Sequence, residues 1–151
     1  MQARERYRAK KVWPHNTITS QITARSEIHV VDDEPDAVLI LARTLLARGY
    51  KVTTAESGLQ AINLAKEEKP DLILLDILMP DMDGTQVAAA LQEDPATQNI
   101  PVIFLTCLIT KKTQEMGFRY HDAGQYVFMS KPYDLDNLLM EINRLIGVRV
   151  G

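Results

Sequence analysis

The sequence predicts an α/β protein with a five-stranded parallel sheet that is covered by helices on both faces. From Glu27 onward, short apolar runs alternate with stretches that carry apolar residues at helical spacing. The runs are almost continuously apolar, which is typical of strands that are buried on both faces of a parallel sheet. The stretches between them are long enough for right-handed helical crossovers. Together these features favour five consecutive strand–helix units.

The apolar runs themselves predict the positions of the five strands. Each run is short, and polar residues follow it closely, so each can be read as one buried strand with a defined carboxyl end. The five runs are Ile28–Val31, Val52–Ala55, Leu72–Leu75, Val102–Leu105 and Val127–Met129.

Apolar residues at helical spacing predict the helices, most clearly after the first and the last strand. After the last strand, Asp134 is placed to cap a helix that ends near Ile146. The apolar face of the helix after the first strand contains Val38, Leu41 and Leu45. The apolar face of the last helix contains Leu135, Leu138, Ile142 and Leu145.

Length and composition fit one domain with a short extension. The chain has 151 residues, of which 46% are hydrophobic and 25% charged, as in ordinary globular proteins. No apolar stretch approaches the ~18 residues of a membrane helix, and the N-terminus lacks the apolar core of a secretory signal. The net charge of −3 gives no indication of a nucleic-acid surface. A single cysteine, Cys107, excludes an internal disulfide and is compatible with a cytoplasmic location.

Residues 1–26 differ from the rest of the chain and are predicted to form a basic N-terminal tail. This segment contains six basic residues and one acid, Glu5, and it shows no apolar periodicity. We expect a flexible tail, with the folded domain spanning residues 27–151. The alternative interpretation is a basic arm that touches a membrane, a nucleic acid or a partner protein.

Acidic, hydroxyl and amine side chains follow successive predicted strands. Asp32 and Asp33 follow the first strand, Asp76 the third, Thr106 the fourth and Lys131 the fifth. In a parallel sheet the carboxyl ends of the strands meet at one edge, where ligands bind. Three carboxylates in one place would repel one another, and a hard cation such as Mg²⁺ would relieve that repulsion. With a lysine and a threonine, the set forms a clamp for a phosphoryl group, which a carboxylate can accept.

Four motifs in these positions resemble the receiver domain of two-component response regulators. The resemblance covers about residues 27–148 and implies a flavodoxin-like, doubly wound fold with strand order 2-1-3-4-5 and five flanking helices. The motifs are "VVDDE" at Val30–Glu34, "LLDILMPDMDG" at Leu74–Gly84, "PVIFLT" at Pro101–Thr106 and "SKPY" at Ser130–Tyr133.

The resemblance also implies roles for the acidic residues and the loop that follows them. Asp76 would be the phosphoacceptor. Asp32, Asp33 and Asp76 would bind Mg²⁺ together with the backbone carbonyl of Leu78. Gly84 would precede the third helix, where a residue without Cβ can turn freely.

Three further residues take their expected roles from the same family pattern. Thr106 would bond a phosphoryl oxygen and move on phosphorylation, and Phe128 falls at the position of the family's aromatic switch. Lys131 would pair with the phosphoryl group, and its peptide bond to Pro132 is expected to be cis.

The expected function is a phosphorylation-dependent signalling switch. A histidine kinase or a phosphotransfer protein would donate the phosphoryl group, and a downstream protein would bind the face formed by the fourth helix, fifth strand and fifth helix. The chain would act on its own aspartate and turn over no separate substrate. The segment from Thr106 to Lys131 is longer than is usual in the family, and no output domain follows the last helix, so we expect a single-domain regulator or an excised receiver.

Two alternatives stay open at this point. One is a receiver-fold binding module that is never phosphorylated, which the loss of Asp33, Asp76 or Lys131 would favour. The other is a hydrolase of the haloacid dehalogenase type, which needs a second aspartate where this chain has Leu78. His29 lies within the first strand and is interpreted as a core histidine rather than a ligand.

Overall fold

The computed structural model describes residues 11–12, 26–106 and 126–147, and these form one sheet flanked by helices. The strand order across the sheet is β1-β3-β2-β4-β5-β6, and β2 to β6 are parallel. Counted among these five parallel strands alone, the predicted order 2-1-3-4-5 is confirmed. The strands are β1 (Lys11–Val12), β2 (Glu27–Val31), β3 (Lys51–Ala55), β4 (Leu72–Asp76), β5 (Val102–Thr106) and β6 (Tyr126–Ser130).

Every predicted strand lies inside an observed one, which is longer by one residue or, for β6, by one at each end. The short strand β1 was not predicted. It runs antiparallel to β3, with Lys11 opposite Thr54 and Val12 opposite Thr53, so two residues of the expected tail pair with the edge of the sheet. The division of the chain at residue 26 stays a prediction.

Four helices lie in the described part of the chain. The last one is capped by Asp134, which accepts hydrogen bonds from two backbone N–H groups, and it ends at Ile146, as predicted. The fourth helix expected from the family, and most of the long segment after Thr106, fall on residues 107–125, outside the described residues. Among the described helices, none is long and apolar enough to cross a membrane. The helices are α1 (Pro35–Ala47), α2 (Gly58–Glu68), α3 (Gly84–Glu93) and α4 (Leu135–Ile146).

The core has two apolar layers, one on each face of the sheet. Alternate residues of β4 show the division, because Leu72 and Leu74 pack with α1 and α4, whereas Ile73 and Leu75 pack with α2 and α3. All five residues of β4 are buried, which explains why this strand reads as an unbroken apolar run. The apolar face predicted for α4 is buried at its centre, but Leu135 in its first turn is exposed.

Candidate functional site

Three carboxylates meet at the carboxyl ends of the parallel strands. Asp76 is the last residue of β4, and Asp32 and Asp33 directly follow β2, its neighbour in the sheet. Each offers an oxygen within 4.8 Å of the others. Asp32 and Asp76 are buried, with 6% and 8% of their surfaces exposed, and Asp33 is the least buried of the three. The structure therefore brings the predicted acidic residues together in a cleft, with Asp32 and Asp76 inside it and Asp33 toward solvent.

The amine of Lys131 lies among these acids. Its Nζ is 2.8 Å from Asp32 Oδ2 and 3.8 Å from Asp76 Oδ2. The backbone N–H of Lys131 donates to the carbonyl of Thr106 at 2.8 Å, which aligns the end of β6 with the end of β5. The bond to Pro132 is cis, as the resemblance implied. One positive charge thus faces three carboxylates.

The pKa of Asp76 reflects this excess of negative charge. Burial and, secondarily, the charge of Asp32 raise the pKa of Asp76 to about 6. The charge of Lys131 and the backbone N–H groups of Leu78 and Ile77 act in the opposite direction without cancelling the rise. The lysine amine is closer to Asp32 than to Asp76, so its positive charge stabilises the ionised form of Asp76 less than a direct contact would.

The donor set fits a hard divalent cation. Three carboxylates offer oxygens alone, which Mg²⁺ prefers, and a cation there would offset the repulsion that raises the pKa of Asp76. The N–H of Leu78 donates to Asp76 Oδ1 at 3.3 Å, so the backbone after β4 turns back toward the carboxylate. When bound, such an ion neutralises negative charge on the carboxylates and on phosphate oxygens.

Thr106 and Phe128 lie on the neighbouring strands β5 and β6, respectively. Thr106 is completely buried at the end of β5, one residue beyond Leu105, which pairs with Asp76. Phe128 lies in the middle of β6, is half-buried, and stacks on Phe104 with ring centroids 4.5 Å apart. Thr106 lies opposite Ser130, the residue before Lys131, whereas Phe128 lies two residues earlier on β6. Their switching roles stay predictions.

The other acids of the loop after β4 cap helices and do not join the cleft. Asp81 accepts hydrogen bonds from the backbone N–H groups of Gly58 and Leu59, at 3.3 and 3.5 Å, in the first turn of α2. Asp83 caps α3 and forms a capping box with Gln86. The spacing from Asp83 to Gln86 is a capping signal that can be recognised in the sequence.

Gly84 has a different role from the one expected. It is the first residue of α3, and its φ does not lie in the left-handed region. A Cβ at this position would collide with the carbonyl oxygen of Asp76 and lie 2.9 Å from the Cα of Ile77. The expectation that glycine allows a free turn is therefore wrong, since glycine is needed here for close approach between α3 and the end of β4.

Tyr133 is a residue of the cleft that sequence analysis did not single out. It lines a small cavity of about 30 Å³ together with Asp32, Asp76 and Lys131. Burial raises the pKa of the Tyr133 hydroxyl, and the charge of Lys131 partly opposes this shift. Its place directly after Lys131–Pro132 in the "SKPY" motif was the available signal.

Comparison with known proteins identifies the family. The model of the response regulator receiver domain matches residues 28–143. The chain belongs to this family. Protein PilH of Pseudomonas aeruginosa is 36% identical over 122 residues, which cover 81% of this chain and 98% of PilH. The polar-differentiation response regulator DivK of Brucella ovis is 32% identical over 120 residues, covering 80% of this chain and 95% of DivK.

Longer relatives contain the receiver as one part. The response regulator PleD of Caulobacter vibrioides is 39% identical over 109 residues, which are 72% of this chain and 23% of PleD. This chain therefore spans less than a quarter of PleD. The general role of the receiver family, signalling in two-component systems, applies to the chain.

Solved receiver structures share the fold. Chemotaxis protein CheY4 of Vibrio cholerae superposes with a TM-score of 0.70 at 25% identity, covering 80% of this chain and 98% of CheY4. The receiver domain of sensor histidine kinase PA1611 of Pseudomonas aeruginosa gives 0.70 at 28% identity, covering 81% of this chain and 98% of that domain. That domain has a magnesium ion coordinated in its active site cleft.

Proposed function

We propose that this receiver is a phosphorylation-dependent signalling switch that accepts a phosphoryl group from a histidine kinase or a phosphotransfer protein on Asp76, with Mg²⁺. The observation that carries the proposal is the position of Asp76. Its buried carboxylate lies beside Asp32 and 3.8 Å from the amine of Lys131, at the carboxyl edge of the sheet. This arrangement combines a nucleophile, a site for a cation and a fixed positive charge, which are what phosphoryl transfer requires.

Contacts within the cleft favour Asp76 over Asp32 as the acceptor. Asp32 Oδ2 is 2.8 Å from the Lys131 amine, and its Oδ1 accepts from the N–H of Glu34 at 3.0 Å. For Asp76 the corresponding contacts are longer, 3.8 Å to Lys131 and 3.3 Å to the N–H of Leu78. An oxygen of Asp76 is therefore more easily released for attack on phosphorus. A bond from this oxygen to phosphorus forms as the bond from phosphorus to the histidine nitrogen of the donor protein breaks, and the electron pair of the broken bond returns to that nitrogen.

The remaining residues of the cleft stabilise the product. Lys131 would exchange part of its pairing with Asp32 for the new phosphoryl oxygens, because the phosphorylated Asp76 carries more negative charge. Thr106 would donate its hydroxyl to a phosphoryl oxygen, and Phe128 would move with it. Asp32, Asp33, Asp76 and the carbonyl of Leu78 would hold the metal.

The output surface is proposed to be the face formed by the helix expected within residues 107–125, β6 and α4. Two observations support it. Residues in the middle of β6 are half-buried, and Met140 on α4 has 66% of its surface exposed. A downstream protein that recognises the altered face would receive the signal, while residues 27–151 act as the receiver and turn over no separate substrate.

The test is to incubate the full chain with Mg²⁺ and a small acyl phosphate and to weigh it intact. We expect one added phosphoryl group in the wild type and none in Asp76→Asn. The matched control is Asp81→Asn, which alters an acid of the same loop that caps α2, and it should still be phosphorylated. If the wild type gains no mass, the chain is a binding module without phosphorylation. If Asp76→Asn still gains a phosphoryl group, the acceptor is another residue.

A further inference from the structure

A second cluster of ionisable side chains lies at the opposite end of the sheet from the acidic cleft. Glu27 and His29 are two residues apart on β2 and so point to the same face, the one that α2 covers. Glu68 is the last residue of α2. These three residues, here called the amino-end cluster, lie near the amino ends of the strands, and none of them takes part in the proposed phosphoryl transfer.

His29 is the centre of the amino-end cluster. It is buried, with 1% of its surface exposed, as sequence analysis expected of a core histidine. Its Nε2 is 3.0 Å from Glu27 Oε2 and 3.1 Å from Glu68 Oε1. Each of the three residues offers one possible ligand atom within 4.8 Å of those of the other two. The carboxyl side chains are 17% and 14% exposed, so the cluster can be reached from solvent on the side of the glutamates.

The Nε2 atom of His29 faces more carboxylate oxygens than it has hydrogens to donate. In every protonation state Nε2 carries at most one hydrogen, yet two carboxylate oxygens lie at hydrogen-bond distance from it. One hydrogen cannot point well at both oxygens. A metal ion bonds to all three atoms at once, since it uses the lone pair of neutral Nε2 and one oxygen of each carboxylate.

The distances suit a small tetrahedral ion. Bonds of about 2.0–2.1 Å to nitrogen and oxygen place tetrahedral ligands roughly 3.3 Å apart. The nitrogen–oxygen distances of 3.0 and 3.1 Å need only a slight expansion to reach this value. Three protein ligands leave a fourth position for water on the exposed side.

Neighbouring groups hold the two carboxylates in place. Thr53, which pairs with His29 across β2 and β3, donates its hydroxyl to Glu68 Oε1 at 3.1 Å. The amine of Lys51 lies 3.8 Å from Glu27 Oε1, the oxygen that does not face His29. The backbone of Glu27, rather than its carboxylate, is fixed by a third contact, because its N–H donates to Asp71 Oδ2 at 2.7 Å. Such outer contacts orient ligands in metal sites.

We propose that Glu27, His29 and Glu68 form a binding site for Zn²⁺ or a similar divalent ion that accepts imidazole, separate from the oxygen-only cleft at Asp76. A mixed set of one nitrogen and two carboxylates favours such an ion, whereas Mg²⁺ prefers oxygen ligands. The bound ion would connect β2 to the end of α2. The competing occupant is a proton. Burial lowers the pKa of His29, but hydrogen bonds and charges of Glu27 and Glu68 outweigh this and leave it raised.

The primary test is a titration of the full chain with ZnCl₂ in the presence of Mg²⁺, followed by the ¹⁵N resonances of the His29 ring. We expect Nε2 to shift on addition of Zn²⁺ and the melting temperature to rise. This measurement uses the wild-type protein, so it does not depend on whether a variant folds. If saturating Zn²⁺ leaves the His29 resonances unchanged, the occupant is a proton and the proposal is wrong.

Variants locate the binding. Glu68→Gln keeps the size of the side chain and should weaken Zn²⁺ binding at least about tenfold, and His29→Gln should do the same. The matched control replaces the remaining histidines and the one cysteine, as His15→Gln, Cys107→Ser and His121→Gln, and should bind like the wild type. Unchanged affinity in Glu68→Gln, or lost affinity in the control, would place the ion elsewhere. Asp76→Asn should retain Zn²⁺ binding, so a failed phosphorylation assay and a failed Zn²⁺ assay remain distinguishable.

Discussion

Gly84→Ala should damage the phosphorylation cleft more than any surface change of the same size. Gly84 is the first residue of α3, and its N–H donates to the carbonyl of Ile77 at 2.8 Å. An added Cβ would collide with the carbonyl oxygen of Asp76 and would lie 3.1 Å from its carbonyl carbon. These obstacles are backbone atoms at the end of a buried strand, and they cannot rotate away as a side chain can.

The expected size of the effect follows from three contributions. Overpacking costs about 1–3 kcal/mol, and loss of the hydrogen bond to Ile77 costs about 1 kcal/mol. Alanine recovers up to about 1 kcal/mol through its lower backbone entropy in a helix. We therefore expect Gly84→Ala to lower the free energy of unfolding by about 1–4 kcal/mol. The shift of α3 should also displace Asp76 and slow its phosphorylation.

The matched control is Gly58→Ala, which also alters the first residue of a helix. Its Cβ would approach the side chains of Met82 and Val87, each at 2.9 Å, and no backbone atom is among its three nearest contacts. Met82 lies in the loop before α3, and a loop can shift more easily than the end of a buried central strand, so the loss of stability should be smaller. Urea unfolding of both variants measures the difference. If Gly84→Ala unfolds within about 0.5 kcal/mol of the wild type, the steric argument is wrong.

Four further predictions concern single features of the chain. Lys131→Met removes the charge that holds down the pKa of Asp76, so this pKa should rise above about 6 in metal-free protein, as read from carboxyl ¹³C shifts; an unchanged pKa would contradict it. Asp81→Ala removes a cap of α2, and amide exchange should accelerate in the first turn of that helix but not in α3. A truncation that starts at Ser26 should still fold and accept phosphate; a truncated protein that no longer folds or no longer accepts phosphate would show that the tail is structural. Leu78→Asn should shorten the lifetime of the phosphorylated state by an order of magnitude or so, because leucine cannot orient the attacking water; decay as slow as in the wild type would mean that its half-exposed side chain points away.

The strands were predictable because burial on both faces leaves an unbroken apolar signal. In β4 all five residues are buried, and four of them were read directly from the sequence. Strand β1 has no such signal, since Lys11 and Val12 are held by pairing along the edge of β3. Backbone pairing of this kind does not depend on side-chain type, so two residues inside a basic segment give no pattern from which to predict it.

The acidic cleft was predictable from topology, whereas the uses of its neighbouring residues were not. The carboxyl ends of parallel strands meet, so Asp32 and Asp76 had to approach each other once the strand order was known. Where the side chains of Asp81 and Asp83 point depends on the positions of the first residues of α2 and α3. Asp81 turns to the first N–H groups of α2, a contact between segments 22 or more residues apart, which no local spacing reveals.

The two ends of α2 show how charge can be placed with and against a helix. The carboxylate of Asp81 lies at the amino end, where the helix dipole favours a negative charge. Glu68 lies at the carboxyl end, where the same dipole opposes a negative charge. Contacts from the sheet offset this penalty, because Thr53 donates to Glu68 and the ring of His29 approaches the same oxygen. The amino-end cluster therefore needs positive charge at its centre, which either a proton or a divalent ion on His29 would supply. With Glu68→Gln the helix penalty disappears together with the ligand, so the variant should lose Zn²⁺ binding without losing the end of α2.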